Sequence, residues 1–276
     1  MQDTRTEPTS VVSSTASWIG FAAIVVASWT ALLGLHAGDG HTAFHGADAS
    51  FAAVLAAWLL MAVAMMAPTA VPVLATLRDI LHSGQQRRWW WFLGAYVAVW
   101  WVFALLAAGL QWWLTGLGLV DEHGRVVRLL GGATLLLAGL YQFSSLKEAC
   151  LSACTSPMQW FMRHWRDGDA GAARMGVHHG LTCVGCCWAL MLLAFVGGVS
   201  SLWIMAAAAL VMATEKVPAW GRRITVPLGV ALVVAGVLVL LVPAGDTTSH
   251  RHTASPGAWP RTSFVTSFVT SGKDVS

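Results

Sequence analysis

Long apolar segments alternate with polar ones along the chain, and this pattern predicts its secondary structure. Apolar runs of about 20 residues have the length that an α-helix needs to cross a bilayer. We therefore predict an all-α, polytopic membrane bundle of about seven transmembrane helices. The predicted spans are Ser17–Leu35, Phe51 to about Leu74, Trp89–Leu114, Leu129 to about Phe143, about Val177–Val199, about Leu202–Ala213 and Ile224–Val242.

Polar segments flank the predicted seven-span membrane domain of residues 17–242. Residues 1–16 are rich in Ser and Thr and are predicted to be a disordered N-terminal tail. They lack the basic start of a signal peptide, so the first span is expected to remain uncleaved. Residues 243–276 are a second Ser/Thr-rich segment with a short Ser-Phe-Val-Thr repeat, and we predict that they form a disordered C-terminal tail.

Composition supports a membrane protein. Apolar residues make up 57% of the chain and charged residues only 11%, well below the share usual in soluble domains. Tryptophans cluster at both ends of the third span, as Trp89–Trp91 and Trp112–Trp113, which is typical of residues at the two interfaces of a bilayer. The net charge of +3 is small, and we expect no nucleic-acid partner.

Basic residues are unevenly divided between the predicted loops. With a cytoplasmic N-terminus, eleven of the 16 lysines and arginines fall on the cytoplasmic side and five on the other. An excess of basic residues marks the cytoplasmic side of a membrane protein. We therefore predict a multi-pass protein of the cytoplasmic membrane, with its N-terminus inside and its C-terminus outside.

The start of the fifth span has the densest set of metal-binding side chains in the chain. On a helix, Cys183 and Cys187 lie one above the other, and Cys186 lies about 100° around the axis from Cys187. Three sulfurs at this spacing can bind one soft ion, or they can be small buried core residues; we weigh the two alternatives equally. The candidate ligands are His178, His179, Cys183, Cys186 and Cys187.

Methionines in the second span are expected at a similar depth. At 1.5 Å per residue, Met65 and Met66 lie about 12 to 14 Å from the cytoplasmic end of their span, and the three cysteines lie about 9 to 15 Å from the end of theirs. Met61 shares a helical face with Met65. The thioethers are therefore candidate ligands beside the thiols, with ordinary apolar packing as the alternative.

Two prolines follow these methionines in the second span. A proline within a helix leaves the carbonyl four residues earlier without its hydrogen bond. Pro68 and Pro72 should therefore free the carbonyls of Ala64 and Pro68, and they favour a bend at this position.

A second cysteine pair, Cys150 and Cys154, lies four residues apart on a segment expected to continue the fourth span as a helix. A cytoplasmic location disfavours a permanent disulfide between them. We expect them to form an outer thiol station, folded over the mouth of the fifth span, that exchanges metal with the inner trio of cysteines. The alternative is that they only pack the end of the fourth span.

These motifs resemble those of a bacterial family. They are Met-Met-Ala-Pro (65–68), Tyr-Gln-x4-Lys-x2-Cys-x3-Cys-x-Ser-Pro (141–157), Gly-x2-Cys-x-Gly-Cys-Cys-Trp-x-Leu-Met (180–191) and Glu215-Lys216. The similar family consists of predicted metal-binding integral membrane proteins, a domain of unknown function with some members described as copper chaperones. The resemblance covers about residues 55–220, and it implies a metal-binding protein of the bacterial inner membrane.

The ligand types indicate which metal. Thiolate and thioether sulfur suit Cu(I) best, and Zn(II) is the second choice because methionine is a poor zinc ligand.

The loop His36–Asp48 is predicted on the other side of the membrane. It contains three histidines and two aspartates that could bind an arriving ion, or it is only a polar turn.

Two main functions agree with the sequence. The first is a membrane protein that holds Cu(I) and hands it on, with a copper donor or acceptor protein as its partner. The second is a thiol–disulfide redox protein that uses Cys183 and Cys186 as its CxxC motif and Cys150 and Cys154 as its shuttle pair. A structural subunit of a membrane complex is a third alternative. We do not expect an enzyme, since the sequence has no GxxxxGKS/T, HExxH or GxSxG motif. We expect Lys216 to lie at a membrane edge, where its side chain snorkels toward water or pairs with Glu215.

Overall fold

The computed structural model describes residues 9–37, 50–81, 85–120, 125–197, 202–217 and 221–242. Within these ranges the regular elements are helices, which confirms the all-α prediction. They are α1 (Thr9–Ala37), α2 (Phe51–Ile80), α3 (Gln86–Gly116), α4 (Arg128–Tyr141), α5 (Ser145–Thr155), α6 (Pro157–His164), α7 (Gly168–Met191), α8 (Ala194–Gly197), α9 (Leu202–Glu215) and α10 (Gly221–Leu241).

By their length and composition, fewer helices qualify as membrane spans than the seven that the sequence pattern predicted. Four helical stretches of the described residues are long and apolar enough to cross a membrane, namely α2, α3, α7 with α8, and residues 223–241 of α10. The pair α4 and α5 makes a fifth if it counts as one bent span. The shorter apolar stretches Ile19–Gly34 and Trp203–Glu215 lie in α1 and α9. Seven spans are not confirmed.

Several predicted segments fall outside the described residues or begin elsewhere. Residues 1–8, 38–49 and 243–276 are not described, so half of the predicted N-terminal tail, most of the histidine-rich loop and the whole C-terminal tail lie outside the described residues. Helix α1 begins at Thr9, inside the segment predicted as a tail, and α7 begins at Gly168, upstream of the predicted start at Val177.

The segment after the fourth span is helical, as predicted, and carries Lys147, Cys150 and Cys154, but it is a separate helix that follows a break and takes a new direction. Helices α4 and α5 are bent by 65° at the break between Tyr141 and Ser145. Ser144 caps α5, because its Oγ accepts a hydrogen bond from the backbone N–H of Lys147 at 3.1 Å. Such a cap satisfies an N–H group that a new helix leaves unpaired, so a separate helix can start here and change direction.

The proline prediction in α2 is confirmed at Ala64. The carbonyl that Pro68 leaves free accepts a hydrogen bond from the indole Nε1 of Trp29 at 3.1 Å, so α1 packs against α2 at this position.

At the ends of α3, four tryptophans of the predicted interfacial belts are exposed: Trp90, Trp91, Trp112 and Trp113.

Helices α3 and α7 pack most extensively in the described bundle, and glycines permit their close approach. An ideal Cβ at Gly176 would lie 2.3 Å from the carbonyl oxygen of Phe92. Small residues at such contacts let helix backbones approach each other inside a membrane. The pair α4 and α10 uses the same device at Gly139 and Gly229, where a Cβ on Gly139 would lie 2.9 Å from the Gly229 carbonyl.

We expect Gly176→Ala to destabilise the bundle, because its methyl group would meet the α3 backbone rather than a side chain that can rotate away. Overpacking of this kind costs about 1–3 kcal/mol. The matched control is Gly94→Ala in α3, where a Cβ meets nothing within 4 Å. Thermal unfolding in detergent should show a lower midpoint for Gly176→Ala and no loss for Gly94→Ala. Equal midpoints would contradict the close contact.

Candidate metal centre

Three thiols from two helices converge in the interior of the bundle. The sulfurs of Cys154 on α5 and of Cys183 and Cys186 on α7 all lie within 4.8 Å of one another. Cys183 and Cys186 are each 2% exposed, and Cys154 is partly exposed. This is the one group of three or more His, Cys, Asp or Glu side chains within the described residues whose ligand atoms are close enough to share an ion.

The spacing of the sulfurs suits a small soft ion. With metal–sulfur bonds of about 2.3 Å, three sulfurs in a plane around one ion lie about 4.0 Å apart. The sulfurs of Cys154 and Cys186 lie 4.0 Å apart. An ion could therefore bind to all three with small side-chain movements and no rearrangement of the helices.

Local sequence explains how α5 reaches α7. Cys150 lies on the same face of α5 as Cys154, one turn earlier, and an ideal Cβ at Gly185 would lie 2.7 Å from the Cys150 sulfur. The missing side chain of Gly185 therefore makes room for α5 against α7. Tyr141 at the end of α4 donates a hydrogen bond to the Gly185 carbonyl at 2.5 Å, which attaches the bend between α4 and α5 to the same point.

Cys187 faces the methionines of α2. Its thiol lies 3.6 Å from the Met66 sulfur and 2.9 Å from the Cys183 carbonyl oxygen, to which it donates a hydrogen bond. Met66 is 1% exposed. The expected proximity of Met66 to the α7 cysteines is confirmed, and a thioether sulfur thus borders the thiol cluster.

Lys216 points into the cluster, which differs from the sequence expectation that it would snorkel or pair at a membrane edge. Its ammonium Nζ donates hydrogen bonds to the Cys183 sulfur at 3.1 Å and to the Thr69 hydroxyl at 2.7 Å. The Tyr96 hydroxyl lies 3.4 Å from the same sulfur. An ammonium group at this distance stabilises a thiolate, which is the form of cysteine that binds metal.

A buried ion pair supports this arrangement. Lys147 Nζ on α5 lies 2.9 and 2.8 Å from the two carboxylate oxygens of Glu215, and the two side chains are only 1% and 3% exposed. The Thr225 hydroxyl on α10 adds a hydrogen bond to Glu215 at 3.3 Å. Glu215 directly precedes Lys216 in the chain. The ion pair therefore holds α5 next to the lysine whose ammonium group contacts Cys183.

Sequence reasoning gave no role in the site to Lys216, Tyr96 or Thr69. The sequence does carry a signal for the charged residues. Lys147 lies three residues before Cys150, and Glu215 and Lys216 end an otherwise apolar segment, so charges at these positions point to a specific role. Tyr96 and Thr69 carry no such signal, since nothing in the sequence connects them with Cys183.

The two predicted histidines do not join the cysteine group. His179 is 3% exposed and lies among the rings of Phe92, Tyr96 and Trp160, with centroid distances of 6.1, 6.1 and 5.0 Å. Its Nδ1 has no hydrogen-bond partner in the described residues. His178 is exposed and contacts the His164 ring at a centroid distance of 4.6 Å.

The prediction of separate outer and inner thiol stations is wrong for Cys154. Its sulfur belongs to the same cluster as Cys183 and Cys186, because the bend before α5 turns this helix along α7. Cys150 lies one turn away against Gly185, outside the group of three. Met61 and Met65 are also outside it, and they line a small cavity that contains no cysteine.

Comparison with known families decides the affiliation of the chain. A family model described as a copper chaperone, PpoB2, matches residues 55–239, which is more than half of the 276 residues. The chain belongs to this copper chaperone family. No curated protein and no solved structure matches it.

Membership of the copper chaperone family confirms the resemblance found in the sequence. The matched range includes most of α2, all of α3 to α9 and most of α10, and so it includes all three cluster cysteines, Lys147, Glu215 and Lys216. A site built of soft sulfur ligands is suited to copper, and the two observations together support a role in copper handling.

We expect Lys147→Met to destabilise the protein strongly, because it leaves the buried Glu215 carboxylate without its counter-ion. Removing one partner of a buried ion pair costs about 3–5 kcal/mol, whereas apolar replacement of both partners is often nearly neutral. The double variant Lys147→Met with Glu215→Met should therefore regain most of the stability in thermal unfolding. Equal stability of the single and double variants would contradict a buried ionic pair.

Proposed function

We propose that this protein is a Cu(I) chaperone of the bacterial inner membrane. It holds Cu(I) on the sulfurs of Cys154, Cys183 and Cys186, and it passes the ion to an acceptor protein. The observation that carries this proposal is the mutual approach of these three sulfurs to within 4.8 Å in a chain of the copper chaperone family.

Three features favour Cu(I) over Zn(II). Structural zinc sites are almost always tetrahedral with four protein ligands, and within the described residues this group offers three thiols and no histidine or carboxylate. Soft thiolates suit Cu(I), and the nearest additional sulfur is the thioether of Met66 beside Cys187. Lys216 offsets one negative charge of the thiolates, which lowers the cost of keeping an anionic copper–sulfur centre in an apolar interior.

Partial exposure of Cys154 suggests how the ion is exchanged. Cys183 and Cys186 are buried, whereas Cys154 lies on the short helix α5 and remains partly exposed. A thiolate of a donor or acceptor can bind the metal next to Cys154 before another metal–sulfur bond breaks. Cys154 is thus the ligand through which Cu(I) is exchanged, and the two α7 cysteines retain it.

The orientation in the membrane follows from the division of basic residues. We propose seven spans with a cytoplasmic N-terminus, in which α1, α9 and the bent pair α4 and α5 cross the membrane as well. Cys154 and Lys216 then lie on the cytoplasmic half of the bundle. Cu(I) is therefore exchanged with cytoplasmic thiols.

Reporter fusions test this orientation. A reporter after Gln85 should be active on the cytoplasmic side, and one after Ser276 should be active outside, because eleven basic residues favour the first side and five the second. A cytoplasmic reporter at Ser276 would overturn the seven-span topology while leaving the cysteine cluster unaffected.

Cysteine substitutions test the ligand set. We expect Cys154→Ser, Cys183→Ser and Cys186→Ser each to weaken Cu(I) binding by about tenfold or more, because each removes a direct thiolate bond and loss of an outer-shell partner alone costs about 10–100-fold. The matched control is Cys150→Ser, which lies on the same face of α5 but outside the group of three sulfurs. Competition of purified protein with a Cu(I) chelator measures these affinities.

The same variants separate the chaperone from the redox alternative. If Cys150→Ser weakens binding as much as Cys154→Ser, the proposed ligand set is wrong. If the wild-type protein binds no Cu(I) but changes its number of alkylated thiols on reduction, the thiol–disulfide function replaces the chaperone. The pair to examine first is Cys154 and Cys186, at 4.0 Å between sulfurs.

A further inference from the structure

Four methionines converge on one small cavity that the thiol cluster does not share. The cavity has a volume of about 10 Å³, and its lining contains Met61 and Met65 from α2, Met191 from α7 and Met205 from α9. The four residues are 1 to 3% exposed. The other lining residues are leucine, isoleucine and alanine, so the thioether sulfurs are the only side-chain electron donors among the residues that line it.

The size of the cavity suits a single ion. A volume of about 10–15 Å³ is the smallest that holds one water molecule, and a water needs two to four polar partners that thioethers and aliphatic groups do not supply. Thioether sulfur selects soft cations such as Cu(I) over harder ions. Methionine also adapts its shape easily, so four flexible sulfurs can turn toward an ion without moving the helices.

The position of the cavity connects it with the cluster. Along α7, Met191 follows Cys187 by four residues, about 6 Å along the axis, and on the facing α2 the chain passes from Thr69 through Met66 to Met65 and Met61. Thr69 contacts Lys216 and Met66 contacts Cys187. The sulfurs therefore form a series that begins at the thiols, passes Cys187 and Met66, and ends at the methionine cavity.

We propose that Met61, Met65, Met191 and Met205 form a second, all-thioether Cu(I) site that receives its ion from the thiol cluster. This proposal rests on the proposed function for the identity of the cargo. The transfer moves Cu(I) without electron transfer. Cu(I) first binds the Cys187 sulfur as its bonds to the cluster break, and the Cys187 thiol proton passes to one of the vacated cluster thiolates. A bond to Met65 or Met191 then forms as the bond to Cys187 breaks, and the proton returns to Cys187.

Charge distinguishes the two sites. The thiol cluster is anionic and has Lys216 beside it, whereas four thioethers are neutral and leave the full positive charge of Cu(I) in an apolar interior. The thioether site should therefore bind Cu(I) more weakly than the cluster. It should hold an ion in passage rather than store it.

Silver titration of the purified full-length chain in detergent tests the site, because Ag(I) is a soft ion like Cu(I) that does not change oxidation state under these conditions. We expect two equivalents in the wild-type protein, the second bound more weakly than the first, and only the tighter one in the Met191→Leu, Met205→Leu variant. The matched control is Met175→Leu with Met212→Leu, two methionines that are 3% and 1% exposed and do not line this cavity. Leucine conserves the volume of methionine, so both variants should fold.

A variant with all five cysteines replaced by serine isolates the thioether site. It should retain about one Ag(I) equivalent, and the methyl NMR signals of Met61, Met65, Met191 and Met205 should shift on titration while those of Met175 and Met212 do not. If this variant does not fold, the comparison of the two Met→Leu pairs in the otherwise wild-type chain decides.

The outcomes separate this proposal from the proposed function. Two equivalents in both Met→Leu pairs, or an equal loss in both, would overturn the thioether site while the cysteine site stands. A single equivalent in the wild-type chain that disappears on Cys→Ser replacement would also overturn it. Retention of one equivalent after Cys→Ser replacement, in a chain whose thiols bind no Cu(I), would refute the cysteine chaperone site and support the methionine site alone.

Discussion

The site depends on the buried ion pair between Lys147 and Glu215. A buried ammonium group and a buried carboxylate each need an opposite charge nearby, because both have lost their hydration. Helix α5 must therefore approach the end of α9 closely enough for the 2.8 and 2.9 Å contacts to form. Once α5 is held there, Cys154 lies two turns beyond Lys147 and meets α7. The same contact directs the next residue of the chain, Lys216, toward Cys183. One electrostatic interaction thus positions both Cys154 and Lys216 at the thiol cluster.

Two close backbone contacts make this arrangement possible. Gly185 leaves room for Cys150 against α7, and Gly176 lets α3 approach α7 so that Tyr96 reaches the Cys183 sulfur. In each case a side chain at the glycine would separate the helices, and the hydrogen-bonding groups would no longer reach the cluster. The cysteines supply the chemistry, whereas the glycines set the distances.

The chemical character of the sulfurs changes along the seam between α2 and α7. Thiols near Lys216 form an end suited to a cation bound by charged ligands, and Cys187 with Met66 marks the change to thioethers. Beyond them, the methionine cavity contains no charged group. In the proposed function, this order of sulfurs permits stepwise exchange of Cu(I), because each new sulfur is available before the previous bond breaks.

Periodicity and composition were sufficient to predict an all-helical chain with several helices apolar enough to cross a membrane. Motif spacing placed Cys183 and Cys186 close together on one helix, and the resemblance of the motifs to a known family predicted the copper chaperone family. These are local properties: apolar runs define helices, and four-residue spacing defines a face. The free carbonyl of Ala64 was predictable for the same reason, although its partner Trp29 was not.

Only the tertiary structure decided which residues meet. It joined Cys154 to the α7 cysteines, turned Cys187 toward Met66, kept His178 and His179 out of the cluster and directed Lys216 inward. The direction of α5 depends on the capped break at Ser144, and its depth depends on an ion pair between residues 68 positions apart. The spacing of apolar and polar residues along the chain indicates which residues share a face of a helix. The rotation of one helix relative to another is determined by contacts between residues distant in sequence.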